Sequence, residues 1–332
     1  MLNLKFSGQF GCGYARVGSR RDGGLYDGGR ILTDPATPMT RDPQLDPQSP
    51  RPDSQSPRKV LIVGADLLVA KRVSEVLPTW ELTQATDNKA ALALVENSCF
   101  ELVITGEDTT GSEDVVLLQK IRLLRPHTRL IVLTDESTPA DVIAAIRGRA
   151  FSYFSKPYSE SSFVEMLHLA TETPVWDEGI EVLSATETWI RLVARCDMGT
   201  ANRLLQFIHE VVDLPEEEAE KVGVAFREIL LNAMEHGGKF DPTQHVEISY
   251  VRARHMVMCR IKDPGEGFSP EDDPNMVSSN PPDDPVRHLK LREAEGIRPG
   301  GYGVLLASKL VDELIYGEKG NDVLLIKYVE QS

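Results

Sequence analysis

From Lys59 onward the chain alternates short apolar runs with amphipathic stretches. Five runs rich in β-branched residues predict buried strands, namely KVLIVG, WELTQAT, FELVIT, RLIVLT and FSYFS. Apolar residues at helical spacing follow each run and predict helices over Leu67–Leu77, Asn88–Glu96, Glu113–Leu124, Pro139–Arg147 and Glu160–Thr171. This alternation predicts a doubly wound α/β domain over residues 58–172, with its functional loops at the carboxyl ends of the strands.

The order of elements changes in the second half of the chain. Residues 173–185 are of mixed polarity and are predicted to be a linker. Within residues 186–332 we predict a strand in WIRLVARCD, helices over Thr200–Val212 and Glu216–His236, strands in HVEISYVRA and HMVMCRIKD, a helix over Tyr302–Leu314 and a last strand, DVLLIKYV. We expect an α+β domain whose helices cover one face of a mixed sheet.

The first 57 residues have a different composition, rich in Gly and then in Pro, Asp, Gln and Ser. Such a segment has too little apolar surface to offset the entropy of ordering, so it is predicted to be a disordered tail. No apolar stretch follows the twin arginines Arg20 and Arg21, which argues against an export signal. No apolar run approaches the ~18–20 residues of a membrane helix. We therefore expect a cytoplasmic protein with no membrane partner.

Charge and cysteine content narrow the function classes. The formal net charge is −15 over 332 residues, which argues against a nucleic-acid partner because phosphate contacts need clustered Lys and Arg. The four cysteines, Cys12, Cys99, Cys196 and Cys259, lie far apart and form no CxxC pair. This spacing favours reduced thiols over a disulfide framework or a zinc site.

Two polar residues at strand ends give the first domain a family resemblance. Thr134 ends the fourth strand in IVLT, and Lys156 precedes Pro157 after the fifth strand in FSYFSKP. With the order of strands and helices, these residues resemble the response-regulator receiver family. The resemblance implies a flavodoxin-like fold for residues 58–172.

The acidic residues of that family are missing. The resemblance places two metal-binding acids after the first strand and a phosphate-accepting aspartate after the third. This chain has Gly64, Ala65 and Gly106 at those positions. Phosphoryl transfer needs a carboxylate nucleophile and a metal, so we predict a pseudo-receiver retained as a docking or dimerisation surface. The alternative is a one-residue shift that brings in a carboxylate from Asp66, Glu107 or Asp108.

The long helix of the second domain carries the sequence REILLNAMEHGG. Glu228, Asn232 and His236 are spaced i, i+4 and i+8, which predicts that all three project from one helical face. The amide oxygen suits a Mg²⁺ ion held between phosphates, and the carboxylate suits acceptance of a hydroxyl proton. On its own this pattern is also compatible with ordinary polar residues on a solvent-exposed surface.

A second motif follows the strand that ends in IKDPGEGF. Asp263 stands at the strand end, where a carboxylate can accept a hydrogen bond from an exocyclic amine such as that of adenine. Gly265 and Gly267 allow the backbone to approach a ligand closely. Taken alone, DxGxG also occurs in ordinary turns.

The third motif, RPGGYG, lies directly before a helical pattern. Gly300, Gly301 and Gly303 expose backbone N–H groups at the predicted helix N-terminus, a geometry that binds phosphate. The chain has no GxxxxGK[ST] motif, so a Walker-type phosphate loop is excluded.

The order of the three motifs resembles the GHKL ATPase superfamily and its Bergerat-type fold, from about Glu181 to Glu330. Within that superfamily the endings NAMEHGG and GGYGVLLASKLVDEL are most similar to anti-sigma-factor serine kinases. The resemblance implies that Glu228 is the general base, that Asn232 binds Mg²⁺ and that Asp263 reads the adenine of ATP.

The same resemblance assigns roles to the other candidate residues. The glycines of the second and third motifs would shape the nucleotide site and the hinge of a lid over residues 269–301. Arg298 would be the lid cation that meets the γ-phosphate, although a solvated arginine is the alternative. His236 is read as a residue of the site wall and not as a catalyst.

The function implied is an ATP- and Mg²⁺-dependent protein serine kinase that phosphorylates an anti-anti-sigma partner and thereby releases or captures a sigma factor. The alternative is an ATP-binding switch that sequesters a partner without phosphate transfer, and Glu228 favours the enzyme. No phosphoacceptor histidine hairpin fits between Ala170 and Glu181, which disfavours a histidine kinase. The sequence has no cluster of metal-binding aspartates, which disfavours a phosphatase. Whether the chain forms a homodimer is left open.

Overall fold

The computed structural model describes residues 57–64, 67–106, 109–172, 179–267 and 302–329. The predicted tail lies outside these ranges up to residue 56, as do Ala65, Asp66, Glu107 and Asp108. No helix within the described ranges is long and apolar enough to cross a membrane.

The first domain alternates strands and helices as the sequence predicts. The strands are β1 (Lys59–Val63), β2 (Glu81–Ala85), β3 (Leu102–Thr105), β4 (Arg129–Thr134) and β5 (Ser152–Ser155). The helices are α1 (Leu67–Val76), α2 (Asn88–Asn97), α3 (Gly111–Leu124), α4 (Pro139–Arg147) and α5 (Glu160–Glu172). All strand pairs are parallel, in the order β2-β1-β3-β4-β5. The predicted flavodoxin-like, doubly wound fold is confirmed.

Local sequence sets the start of α4. Thr138 caps the helix through its side chain, which accepts a hydrogen bond from the backbone N–H of Asp141. The Asp141 carboxylate in turn accepts from the Thr138 backbone N–H at 3.1 Å. Pro139 occupies the first helical position, where its missing N–H is no loss. This capping box explains why the predicted and observed starts of α4 coincide.

The second domain is built on a six-stranded sheet. Its strands are β6 (Ile180–Thr186), β7 (Trp189–Arg195), β8 (His245–Ala253), β9 (Met256–Lys262), β10 (Glu313–Tyr316) and β11 (Asp322–Tyr328). Its helices are α6 (Met198–Val211), α7 (Glu216–Asn232), a π-helical turn (Ala233–Gly237) and α8 (Gly303–Leu310). The strand order is β10-β11-β9-β8-β7-β6. The α+β class predicted for this domain is confirmed.

Two sequence predictions about this sheet are wrong. All its ladders are antiparallel, so the sheet is not mixed. The helix predicted over Tyr302–Leu314 ends at Leu310, and β10 follows it. The apolar residues of this segment fit the period of a helix as well as that of a strand. Leu314 pairs with Leu325 of β11, and this pairing makes the segment a strand.

The predicted linker is too long at its C-terminal end. Strand β6 begins at Ile180, inside the predicted range 173–185, and pairs with β7. It lies at the edge of the sheet, and its residues are half-buried or exposed. A strand so little buried lacks the apolar run by which strands are found in sequence. Residues 173–178 lie outside the described ranges.

Apolar side chains of the two domains form one continuous cluster. On the side of the receiver-like sheet that faces α4, the cluster includes Val142, Ile146 and Tyr153. It continues into the second domain through Leu204 of α6 and Phe226 of α7. A separate cluster fills the other face of the first sheet, beneath α1 and α5. Helix α6 therefore packs between the first domain and α7.

Candidate functional site

Helix α7 presents Glu228 and Asn232 away from the core. Its apolar residues Phe226, Ile229 and Leu230 are buried against the sheet and α6. The side chains of Glu228 and Asn232, one helical turn apart, are half-buried. The predicted spacing therefore places a carboxylate and an amide on one face of this helix.

The α-helix ends before His236. It ends at Asn232, and the next residues form a π turn in which the Gly238 N–H donates to the Ala233 carbonyl at 2.9 Å. The side chain of His236 is exposed. Its place on one face with Glu228 and Asn232 stays a prediction.

Asp263 follows β9 and begins a tight loop. Its carboxylate accepts a hydrogen bond from the Gly265 N–H at 2.8 Å. Burial raises the pKa of the Asp263 carboxyl above its usual value, and the hydrogen bond from Gly265 opposes this shift. The remaining carboxylate oxygen has acceptor capacity for an amine donor.

The loop of Asp263 packs directly on the end of the π turn. There is no room for a Cβ atom on Gly237, because the Asp263 carboxylate occupies that space. A Cβ atom on Gly265 would lie 2.8 Å from Asp263 Oδ1 and 3.0 Å from Gly237 Cα. The glycines at both positions are therefore required by close approach, and they join the first motif to the second.

The third motif also reaches α7. Helix α8 begins at Gly303, and the Glu228 carboxylate lies where a Cβ atom on Gly303 would stand. The structure thus brings together Glu228, Gly303 and, at the C-terminal end of α7, the Asp263 loop. Arg298, Gly300 and Gly301 lie outside the described residues.

Sequence reasoning missed Asn321, which lies in the turn between β10 and β11. Its side-chain amide donates to the carbonyl oxygens of Asp263 at 3.3 Å and Gly265 at 2.9 Å. The Asp263 N–H donates to the Asn321 carbonyl at 2.9 Å. In sequence Asn321 reads only as a turn residue, because nothing local connects it to a loop 58 residues earlier.

The same turn supports the last glycine of the second motif. Gly267 has a φ of +93°, in the left-handed region that favours glycine. The Lys319 carbonyl occupies the place of a Cβ atom on Gly267. The Asp263–Gly267 loop is therefore held from two sides, by the π turn and by the β10–β11 turn.

The receiver-like site lacks acids at the described positions that the family would use. Gly64 follows β1 and Gly106 follows β3. Lys156 Nζ forms an ion pair with Asp135 Oδ1 at 2.8 Å. The Thr134 hydroxyl donates to the Glu136 carbonyl at 2.8 Å. Both residues that match the family thus take part in local interactions with the loop after β4.

The residues of the second domain fit a nucleotide and a metal ion. Glycines without room for a Cβ atom line the motifs, and Asp263 and Asn232 supply a carboxylate and an amide oxygen. Within the described ranges no group of three His, Cys, Asp or Glu side chains could hold a metal ion. A Mg²⁺ ion bound by Asn232 would therefore take its other ligands from phosphate and water, as Mg²⁺ often does.

Sequence comparisons agree with this division of the chain. A family model described as a histidine kinase-like ATPase domain matches residues 194–327. A second, described as a response regulator receiver domain, matches residues 60–168. The chain joins a receiver domain to a histidine kinase-like ATPase domain.

Individual relatives match one domain or the other. Serine-protein kinase RsbW of Oceanobacillus iheyensis is 26% identical over 135 residues, which is 40% of this chain and 80% of RsbW. Response regulator protein FleR of Pseudomonas aeruginosa is 25% identical over 143 residues, which is 41% of this chain. The match spans only 30% of the length of FleR.

The solved structures to which this chain is similar include receiver domains. The signal receiver domain of an HD domain-containing protein from Pseudomonas fluorescens Pf-5 is 26% identical. The match covers 35% of this chain and 96% of that domain, with a TM-score of 0.32.

Proposed function

We propose that this protein is an ATP- and Mg²⁺-dependent protein serine kinase of bacterial signalling, with an anti-anti-sigma-type protein as its substrate. The observation that carries the proposal is the convergence of three motifs on α7. Gly303 lies against Glu228, and the Asp263 loop lies against the π turn at the end of the same helix. The similarity to RsbW, a serine-protein kinase, supports the substrate class.

Each residue has a defined task in this proposal. Asp263 binds the adenine amine, and Asn232 holds Mg²⁺ beside the phosphates. When bound, Mg²⁺–ATP supplies the phosphoryl group and the positive charge that stabilises its transfer. Glu228 accepts the proton of the substrate serine hydroxyl, which makes the serine oxygen a better nucleophile.

The receiver domain regulates the kinase through protein contact. Gly64 and Gly106 offer no carboxylate for phosphorylation at the described positions. The apolar cluster shared by the two domains gives the receiver a physical connection to α6 and α7. We therefore propose that regulation depends on how the receiver is packed and not on its phosphorylation.

Calorimetry with Mg²⁺–ATP tests the assignment. We expect wild type and Glu228→Ala to bind and Asn232→Ala to lose most of its affinity, because only Asn232 is assigned to the metal. Phosphate transfer to an anti-anti-sigma protein from the same genome should disappear in Glu228→Ala. Glu220→Ala, at an exposed carboxylate on the same helix, is the control for both assays. A wild type that binds no ATP would overturn the proposal.

The contact between Gly303 and Glu228 favours a second candidate function. Because the start of α8 lies on the carboxylate, this arrangement suits an ATP-binding switch that sequesters a partner without transferring phosphate. In that case wild type binds ATP and retains the partner only with ATP, but no phosphoserine forms. Mass spectrometry of the partner after incubation distinguishes the two functions.

A further inference from the structure

The fifth strand of the receiver domain is an edge strand. In the order β2-β1-β3-β4-β5, β4 is the only strand among the described residues that pairs with β5. An edge strand has backbone N–H and C=O groups with no partner strand, and proteins often cover such an edge. Here the cover is helix α6, which comes from the ATPase domain.

Arg203 and Gln206 of α6 donate to backbone carbonyls along this edge. Arg203 Nε donates to the Phe151 carbonyl at 2.9 Å, and its guanidinium stands 4.3 Å from the centre of the Phe151 ring. Only 4% of Arg203 is exposed, so this cation is buried between α6 and the receiver. Gln206 Nε2 donates to the Tyr153 carbonyl, also at 2.9 Å.

Glu210 binds the last residue of the strand. Its Oε2 atom accepts from the Ser155 backbone N–H at 3.1 Å and from the Ser155 hydroxyl at 2.5 Å. Its Oε1 atom accepts from Gln206 Nε2 at 3.0 Å. The carboxylate therefore receives donors from the strand and from its own helix.

The spacing of these contacts along α6 is similar to the spacing of their partners along the strand. We call Arg203, Gln206 and Glu210 the polar stripe of α6. They recur every three or four residues, or ~4.5–6 Å along a helix. Their partners on the receiver recur every second residue, or ~6–7 Å along a strand. The polar stripe thus satisfies successive backbone groups in the manner of a neighbouring strand. Asn202 adds a hydrogen bond to Glu165 of α5 at 2.6 Å.

The opposite face of α6 packs toward the nucleotide site. Leu204 and Ile208 of α6 are buried in the same apolar cluster as Phe226 and Ile229 of α7. Helix α7 carries Glu228. A displacement of α6 from the receiver edge therefore changes the packing behind the residues assigned to ATP.

We propose that the polar stripe of α6 is a docking surface for the β5 edge of the chain's own receiver domain. The docked receiver holds α6 and α7 in the arrangement that binds ATP. This control of ATP affinity rests on the proposed function, whereas the docking contact itself does not.

Hydrogen exchange and calorimetry on the full chain test the two parts. In the double variant Gln206→Ala/Glu210→Ala, exchange of the Ser155 amide should rise by about tenfold or more, because its acceptor is removed. The dissociation constant of Mg²⁺–ATP should rise by about threefold or more through the altered packing of α6 on α7. His209→Ala, at an exposed position of the same helix, should change neither quantity.

Ser155→Ala provides a milder variant, in case the double variant does not fold. It removes one of the three donors to Glu210 and leaves the backbone ladder to β4 intact. It should raise exchange across β5 by a smaller factor and shift ATP affinity in the same direction.

Each outcome decides one part of the proposal. Unchanged exchange at Ser155 in the double variant overturns the docking contact. Raised exchange with unchanged ATP affinity overturns the control of the nucleotide site. A wild type that binds no ATP contradicts the proposed kinase, and the exchange experiment still tests the docking.

Discussion

At the scale of single residues, the Asp263 loop depends on a side chain far away in the sequence. Asn321 fixes this loop through two side-chain hydrogen bonds and one backbone hydrogen bond. The loop in turn places the carboxylate that we assign to adenine. Asn321 is therefore a positioning residue for the nucleotide.

We expect Asn321→Ala to weaken ATP binding by about tenfold, since two hydrogen bonds of about 0.5–1.5 kcal/mol each are lost. Calorimetry with ATP measures the effect. A positioning role further predicts that the loss is smaller for a nucleotide without the adenine amine, such as ITP. Asn97→Ala is the control, because Asn97 also donates to a backbone carbonyl but lies in the receiver domain. Equal ATP affinity of Asn321→Ala and wild type would refute the role.

Gly303 gives a second prediction at this scale. An added methyl group at Gly303 must displace the Glu228 carboxylate. Because the displaced atoms are the mobile end of a side chain, Gly303→Ala should lower phosphate transfer by at least about tenfold without a large loss of stability. A transfer assay together with a thermal melt measures both quantities.

The control is Gly223→Ala in α7, where no atom lies within 4 Å of an added Cβ. It should raise the free energy of unfolding by about 0.5–1 kcal/mol, because alanine loses less entropy in a helix. If Gly303→Ala retains full transfer activity, the contact with Glu228 has no functional role.

At the scale of elements, the junction of α6 and β5 contains a titratable group. Burial raises the pKa of Glu210 from 4.5 to about 7, and the hydrogen bonds from Ser155 and Gln206 oppose this shift. Tyr153, which also faces Glu210, stays neutral because burial raises its pKa to about 12. Folding therefore shifts Glu210 toward its protonated form relative to the unfolded chain.

The sign of the pH dependence follows from that shift. The stabilising contribution of Glu210 is fully present below about pH 4.5 and is lost as the pH rises through about 7. Glu210→Gln imitates the neutral form, so its melting temperature should exceed that of wild type increasingly between pH 5 and pH 8.

Comparison of the two proteins at each pH isolates Glu210. This matters because burial also raises the pKa of Asp114, in the receiver, to about 6. A difference in melting temperature that is constant over this range would show that Glu210 does not titrate at the junction.

At the scale of the whole molecule, the receiver and ATPase domains share an apolar cluster and a hydrogen-bonded edge. The receiver has retained the sheet and helices that make these contacts, while Gly64 and Gly106 replace carboxylates of its family. We propose that its role in this arrangement is to pack against α6.

Acetyl phosphate provides the corresponding test. The full chain should form no acyl phosphate, since Gly64 and Gly106 follow β1 and β3 without a carboxylate and Lys156 is paired with Asp135. Intact-mass spectrometry measures the modification, with an acid-containing receiver as positive control. An adduct mapped to Glu107 or Asp108 would contradict the assignment.

The sequence by itself determined those features whose causes are local. The apolar runs of the receiver predict its five strands, and the Thr138 capping box with Pro139 gives the start of α4. The spacing of Glu228 and Asn232 on an α-helix fixes their common face. In each case the residues that cause the structure are neighbours in the chain.

Only the tertiary structure decided the features that depend on distant partners. Strand β10 exists because β11 pairs with it, and β6 is a weakly buried edge strand that its pairing with β7 defines. Asn321 gains its role from a loop that is remote in sequence. The polar stripe of α6 reads as an ordinary solvated face until β5 is placed beside it. Nearly every residue carries the same backbone N–H and C=O groups, so the sequence does not show which of them a side chain will bind. Only folding determines these partners.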